Sequence, residues 1–176
     1  IGQPACSAGA LARAAKILAF VCFTAVAAQL AVPLPFTPVP VTMQTLFVVL
    51  AGVTLGARDG FYALLAYLAL GLVGAPVFAG FSFGPAVLLG PTGGYLASFP
   101  AAALVSGFLF GRLGGSRVAA FFASLCGMAL ILACGAAYLS AIAGMSFERT
   151  VPLAILPFIA GDFANAVIAA FLSKRR

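Results

Sequence analysis

The chain has 176 residues, 64% of them hydrophobic and only 7% charged, and its mean hydropathy is +1.22. Soluble domains are about 25% charged, so a water-soluble globule, a disordered tail and a nucleic-acid binder are excluded. Nine Lys and Arg against three Asp and Glu give a net charge of +6, which in so apolar a chain reads as basic cytoplasmic loops on an integral membrane protein.

Charges cut the sequence into silent stretches. None occurs in residues 17–57, 60–111 or 118–147, and 150–173 holds only Asp162. A spanning helix needs about 20 apolar residues, so the first two runs each hold two spans and a connection and the last two hold one span each. The fold class expected is therefore an all-α integral membrane protein of six transmembrane helices, forming a single transmembrane domain over residues 1–176.

The first span is placed at 12–32. It ends at Pro33–Val41, where Pro33, Pro35, Pro38 and Pro40 remove amide donors and crowd their predecessors. An alternative makes residues 13–28 a signal peptide, with a basic flank and an Ala25-Val26-Ala27 site; Gln29 and the proline loop, however, look integrated with the next span. The second and third spans, 42–57 and 59–74, are short and predict tilt or partial burial. Residues 74–94, with six glycines and three prolines, break the helix. The remaining spans are 94–112, 117–144 and 151–173. A cytoplasmic N-terminus puts Arg13, Lys16, Arg58, Arg112, Arg117, Lys174, Arg175 and Arg176 inside and Arg149 alone outside, so both termini are expected in the cytoplasm.

Catalysis has little to work with. Histidine is absent, the acids are Asp59, Glu148 and Asp162, and Cys6, Cys22, Cys126 and Cys134 form no CxxC pair. No nucleophile–base pair or metal cluster follows, so no enzyme is expected. Gly90-Pro91-Thr92-Gly93-Gly94 has the glycines of a phosphate loop but lacks its Lys and its strand–helix setting.

The connections 33–41, 75–93 and 145–150 face outward in this arrangement, and the first two are nearly as apolar as the helices. Irregular backbone at the membrane is tolerated where it packs in protein or lines a cavity. The outer half is thus expected to hold a pocket roofed by these loops; the alternative is that they are stiff plugs. Asp162, a third to half way along the last span, costs at least about 2.5–3.5 kcal/mol there and must face the interior with a partner. Asn165 shares its helix face. Either Asp162 accepts N–H groups of a ligand while Asn165 offers a donor and an acceptor, or the two form a polar clamp between helices. With no countercharge in the spans, a neutral, donor-rich ligand is favoured.

Further polar groups at the outer ends are Gln29, Thr37, Thr42, Gln44, Thr45, Ser82, Thr92 and Tyr95, and Phe36, Phe78, Phe81 and Phe83 are candidate walls of an apolar pocket. Gly52/Gly56, Gly107/Gly111, Ala10/Ala14 and Ala15/Ala19 are small-xxx-small pairs. They pack helices within the chain, and on the first helix they alternatively form a docking face for a membrane partner.

The order Pro33-Leu-Pro-Phe-Thr-Pro-Val-Pro-Val-Thr-Met-Gln-Thr-Leu46, Leu50-Ala-Gly52, Leu55-Gly56, Gly74-Ala-Pro-Val-Phe-Ala-Gly80 and Leu89-Gly-Pro-Thr-Gly-Gly-Tyr-Leu96 resembles the BioY family. These are the biotin-binding substrate-capture subunits (S-components) of energy-coupling factor (ECF) transporters, and the likeness runs from about residue 12 to the C-terminus. The resemblance implies an S-component-like bundle in a bacterial cytoplasmic (inner) membrane, with the vitamin site beneath the first outer loop. It implies a partner transmembrane subunit docked on small residues of the first helix, and two cytoplasmic ATPases. Some members work without such a module, leaving self-association as another partnership beside membrane lipid.

By position, Asp162 matches the family's last-helix acid, which accepts the biotin ureido N–H groups. Asn165 stands where many members have Lys. Gly80 and Gly94 occupy loop positions where some members place polar or basic residues, and exposed backbone N–H groups there are the expected substitutes. The expected substrate site is Asp162, Asn165, Tyr95, Gln44, Thr42, Phe36, Thr37, Phe78, Gly80 and Gly94. The function expected is capture of biotin at the outer face and its delivery inward by reorientation against an ATP-driven module. Biotin is the transported ligand and no cofactor is required. Alternatives are a stand-alone secondary carrier for biotin or a related vitamin, with Asp162 carrying a proton, and a non-transport membrane interaction protein.

Overall fold

Helices occupy most of the apolar runs, and the computed structural model describes residues 8–173. Cys6 and the basic Lys174, Arg175 and Arg176 lie outside the described residues. Helix α1 runs Ala8–Gln29. The proline segment then forms the loop of a small hairpin, in which β1 (Ala31–Val32) pairs antiparallel with β2 (Val41–Thr42), Ala31 opposite Thr42 and Val32 opposite Val41. The four prolines sit between the strands, where no ladder donor is needed.

Helices α2 (Gln44–Leu55) and α3 (Ala57–Leu72) follow, separated by Gly56, whose φ of 92° suits glycine. The glycine- and proline-rich connection is less irregular than expected. It contains a single 3-10 turn, Ala79–Phe81, and a short helix α4 (Pro85–Leu89) with Pro85 at its start. Then come α5 (Gly93–Arg112), α6 (Arg117–Ala143), α7 (Phe147–Ala154) and α8 (Leu156–Leu172).

One expectation needs correction. The last span is not one helix: α7 and α8 meet at Ile155 with a 45° bend. A continuous helix would drive the ring of Pro157 into the Leu153 carbonyl and leave that carbonyl without a donor. Helices α1, α5 and α6 are long and apolar enough to cross a membrane, and the bent pair α7–α8 adds a fourth when counted as one span, while α2 and α3, expected to be short, have 12 and 16 residues. They are below the usual spanning length.

Helix α5 lies among α2, α3 and α6. The close approach depends on missing side chains: a Cβ on Gly52 would strike the Ala103 carbonyl, one on Gly107 would strike Ala57 and Gly52, and one on Gly60 would strike Gly52. Gly56 and Gly111 meet nothing, so only one glycine of each small-xxx-small pair packs. On α1, Ala10, Ala14 and Ala15 are exposed, and Val21, Thr24, Ala27 and Ala28 form its buried stripe. At the end away from the hairpin, Arg13 on α1 forms a two-pronged ion pair with Asp59 in the first turn of α3, with Nε donating to Oδ2 at 2.8 Å. Arg112 and Arg117 lie over Phe108 and Phe171 at 5.0 and 5.7 Å from the ring centres, also at that end.

Candidate ligand-binding site

The hairpin, the start of α2, the connection from Phe78 to Thr92, the start of α5, the middle of α6 and the first half of α8 enclose a cavity of about 440 Å³. Its walls are mostly apolar. Pro38, Val39 and Pro40 come from the hairpin, Phe78 and Val87 from the connection, Leu96 and Phe99 from α5, Ile131 and Leu132 from α6, and Phe158 from α8. Among the described residues, no Lys or Arg lines it.

A hydrogen-bonded chain stiffens one side. The Thr42 hydroxyl donates to Gln44 Oε1 at 3.0 Å, Gln44 Nε2 donates to the Tyr67 oxygen at 2.6 Å, and the Tyr67 hydroxyl donates to the Val77 carbonyl at 3.0 Å. Tyr67 is fully buried, edge-on to Phe78 at 5.6 Å and stacked with Phe99 at 6.4 Å. Residues from the hairpin, α2 and α3 thereby hold the connection after α3 in place.

The opposite side carries the acid. Asp162 is 7% exposed, and its Oδ1 accepts from the Thr45 hydroxyl at 3.1 Å. That hydroxyl oxygen in turn accepts from Asn165 Nδ2 at 3.1 Å. Oδ2 of Asp162 is buried with no hydrogen-bond partner among the described residues. A buried polar atom without a partner costs about 1–3 kcal/mol, and more when charged. The two readings of Asp162 therefore divide between its oxygens, one clamping α8 to α2 and the other still lacking a donor.

Six of the expected site residues come together on the wall: Asp162, Asn165, Tyr95, Gln44, Thr42 and Phe78. The Tyr95 hydroxyl donates to the Ala154 carbonyl at 2.8 Å, so Tyr95 contributes its ring. The other four are elsewhere. Phe36 is exposed, and Thr37 is buried but serves its own turn, its hydroxyl oxygen accepting from the Val39 amide at 3.4 Å. Gly80 takes a positive φ of 65° within the turn behind Ala79 and Ser82. Gly94 faces the Tyr138 side chain and the Cys134 carbonyl, where it lets α5 approach α6. The backbone N–H groups of Gly80 and Gly94 are thus not brought to the cavity wall.

Several residues that line the cavity stand outside the expected site. Thr45, named among the polar groups at the outer ends but not placed in the site, joins Asp162 to Asn165. Phe158 lies four residues before Asp162, a helical spacing. Ile131 and Leu132 carry no sequence mark that separates them from the rest of the apolar fifth span.

An apolar helical bundle, closed at one end over a cavity with one carboxylate oxygen awaiting a donor, defines a membrane protein that binds a small molecule. The BioY family model matches residues 5–176, and the chain belongs to the BioY family. A Pyrococcus horikoshii protein named probable biotin transporter BioY is 42% identical over 156 residues, covering 89% of this chain and 90% of its own. The Rhizobium etli biotin transporter BioY is 38% identical over 151 residues, 81% of this chain and 80% of its own. Among solved structures, the S-component for biotin from an ECF-type ABC transporter superposes with a TM-score of 0.89 at 26% identity, covering 94% of this chain and 90% of that one. The fold is that of an S-component.

Proposed function

We propose that this protein captures biotin in the cavity beneath the hairpin and carries it across the membrane. The observation that carries the reading is Asp162 Oδ2, a buried acceptor with no donor in a wall otherwise mostly apolar. The fused ureido ring of biotin brings N–H donors to such an acceptor, and its thioether ring and alkyl chain suit the phenylalanine, proline and leucine surfaces. A volume of about 440 Å³ falls within the usual range for small-molecule pockets. Membership of the BioY family and the printed names of its relatives point the same way.

Among the described residues no cation lines the cavity, so on this proposal the biotin carboxylate is left to water at the mouth. In this reading the cavity end faces outward and the end bearing Arg58, Arg112 and Arg117 faces the cytoplasm of a bacterial inner membrane. A transmembrane partner and two ATPases supply the energy, and biotin is cargo with no cofactor beside it. Titration calorimetry on detergent-solubilised protein stripped of vitamin tests the reading. Biotin is expected to bind with nanomolar to low micromolar Kd, and biotin methylated on a ureido nitrogen to bind at least tenfold more weakly. A folded sample that binds neither overturns the proposal.

A further inference from the structure

The cavity wall from Phe78 to Ser82 is tied to α1 by one side chain that does not itself line the cavity. Gln29, the last residue of α1, uses all its amide groups: Nε2 donates to the Ala25 carbonyl at 3.2 Å and to the Phe78 carbonyl at 3.1 Å, and Oε1 accepts from the Phe81 amide at 3.0 Å. Between those two anchor points the backbone is strained. Phe81 is the only described non-glycine residue with positive φ, at 57°, a region in which a bulky side chain is an outlier held by its surroundings. Its ring is 67% exposed and supplies little packing to hold it there. Phe78 is the reverse case. Its ring is buried against Tyr67 and fills the space where Gly71 lacks a side chain, and it lines the cavity with Ala79 and Ser82.

We infer that Gln29 is a positioning residue for ligand retention, holding the turn from Phe78 to Ser82 in its strained, cavity-closing shape by way of α1. The inference rests on the reading of the cavity as the biotin site. The turn also closes on itself, with the Phe78 amide donating to the Ser82 carbonyl at 3.1 Å and the Ser82 hydroxyl to the Ala79 carbonyl at 2.8 Å. On its two sides the Gly84 amide donates to the Gly71 carbonyl, and the Tyr67 and Tyr138 hydroxyls donate to the Val77 and Leu88 carbonyls. Gln29 is the side chain that joins the turn to α1. Helix α1 is the least buried of the three helices long enough to cross the membrane, so Gln29 links the cavity to its most loosely packed long helix.

The test compares wild type, Gln29→Leu and Gln29→Glu for biotin dissociation rate, and for hydrogen exchange of the Phe78–Phe83 amides in the ligand-free protein. Gln29→Leu, which loses both cross-links, is expected to speed dissociation about tenfold and to accelerate Phe81 amide exchange, with the Tyr67 side of the loop unchanged. Gln29→Glu keeps the acceptor for Phe81 and is expected to fall between. Phe81→Gly separates positioning from general destabilisation, because glycine adopts positive φ without strain. In that background Gln29→Leu is expected to cost only about threefold. Unchanged dissociation, or an equal cost with and without Phe81→Gly, overturns the inference. If wild type fails to bind biotin the ligand reading falls, while the exchange measurement still decides whether Gln29 holds the turn.

Discussion

The two oxygens of Asp162 stand in different surroundings, with Oδ1 taken by Thr45 and Oδ2 without a donor. Asn at this position keeps one carbonyl oxygen for Thr45 but puts an N–H₂ group where the ligand's N–H donors are expected. Asp162→Asn is therefore expected to weaken biotin binding at least tenfold, about 1.4 kcal/mol, with the thermal unfolding of the ligand-free protein little changed. Equal affinity measured by calorimetry would leave Asp162 as a clamp alone. The acid was legible because it is the single charge in its span, and Asn165 because it lies one turn further on. Gly80 and Gly94 were placed at the site by resemblance, and the backbone departs from that placement: Gly94 is consumed by contact with Tyr138. Whether a residue in an irregular segment faces inward depends on the turn that holds it, which spacing along the chain does not encode.

Among the elements, α2, α3 and α5 are joined through glycine. A methyl group on Gly52 has no room against Ala103 and Ser106, and overpacking of this kind costs about 1–3 kcal/mol. Gly52→Ala is expected to lower stability by that amount in a thermal unfolding assay, whereas Gly111→Ala, at a site with open space, is expected to be neutral. Helix positions were readable from the charge-free runs and the proline and glycine breaks. The hairpin was not, since strands of two residues show no alternation to detect. The break at Ile155 had its signal in Pro157, but a span counted by hydropathy alone runs through it. The shortness of α2 and α3 was visible, and their brevity agrees with Gly56 ending one and starting the other.

For the whole molecule, basic residues at one end and the cavity at the other make an orientation test simple. With native cysteines replaced, Val73→Cys, in the exposed connection at the cavity end, is expected to react with an impermeant maleimide in intact cells. Leu113→Cys, in the exposed turn between α5 and α6, is expected to react only after permeabilisation. The reverse pattern would invert the topology. Biotin at a hundred times its Kd is expected to stabilise the folded state by about 2.7 kcal/mol, seen as a rise in Tm that an unrelated vitamin does not produce. The overall charge asymmetry was legible from the sequence because it needs no packing, only the order of Lys and Arg along the chain. The ion pair between Arg13 and Asp59 was not, because residues 46 positions apart meet only when α1 and α3 pack.

Stiffness is graded along the long axis. At the cavity end the rim is formed in part by the hairpin and the connection after α3, held by a few hydrogen bonds; deeper in, around Gly52, Gly60 and Gly107, three helices touch backbone to backbone. A rim of that kind yields by swapping a few hydrogen bonds, whereas the floor yields only by prying whole helices apart and emptying close-packed volume. A passenger settled inside thus has an exit by the way it came in, and no drain beneath it. On the proposed reading, carriage to the other side then calls for tipping the container rather than piercing its bottom.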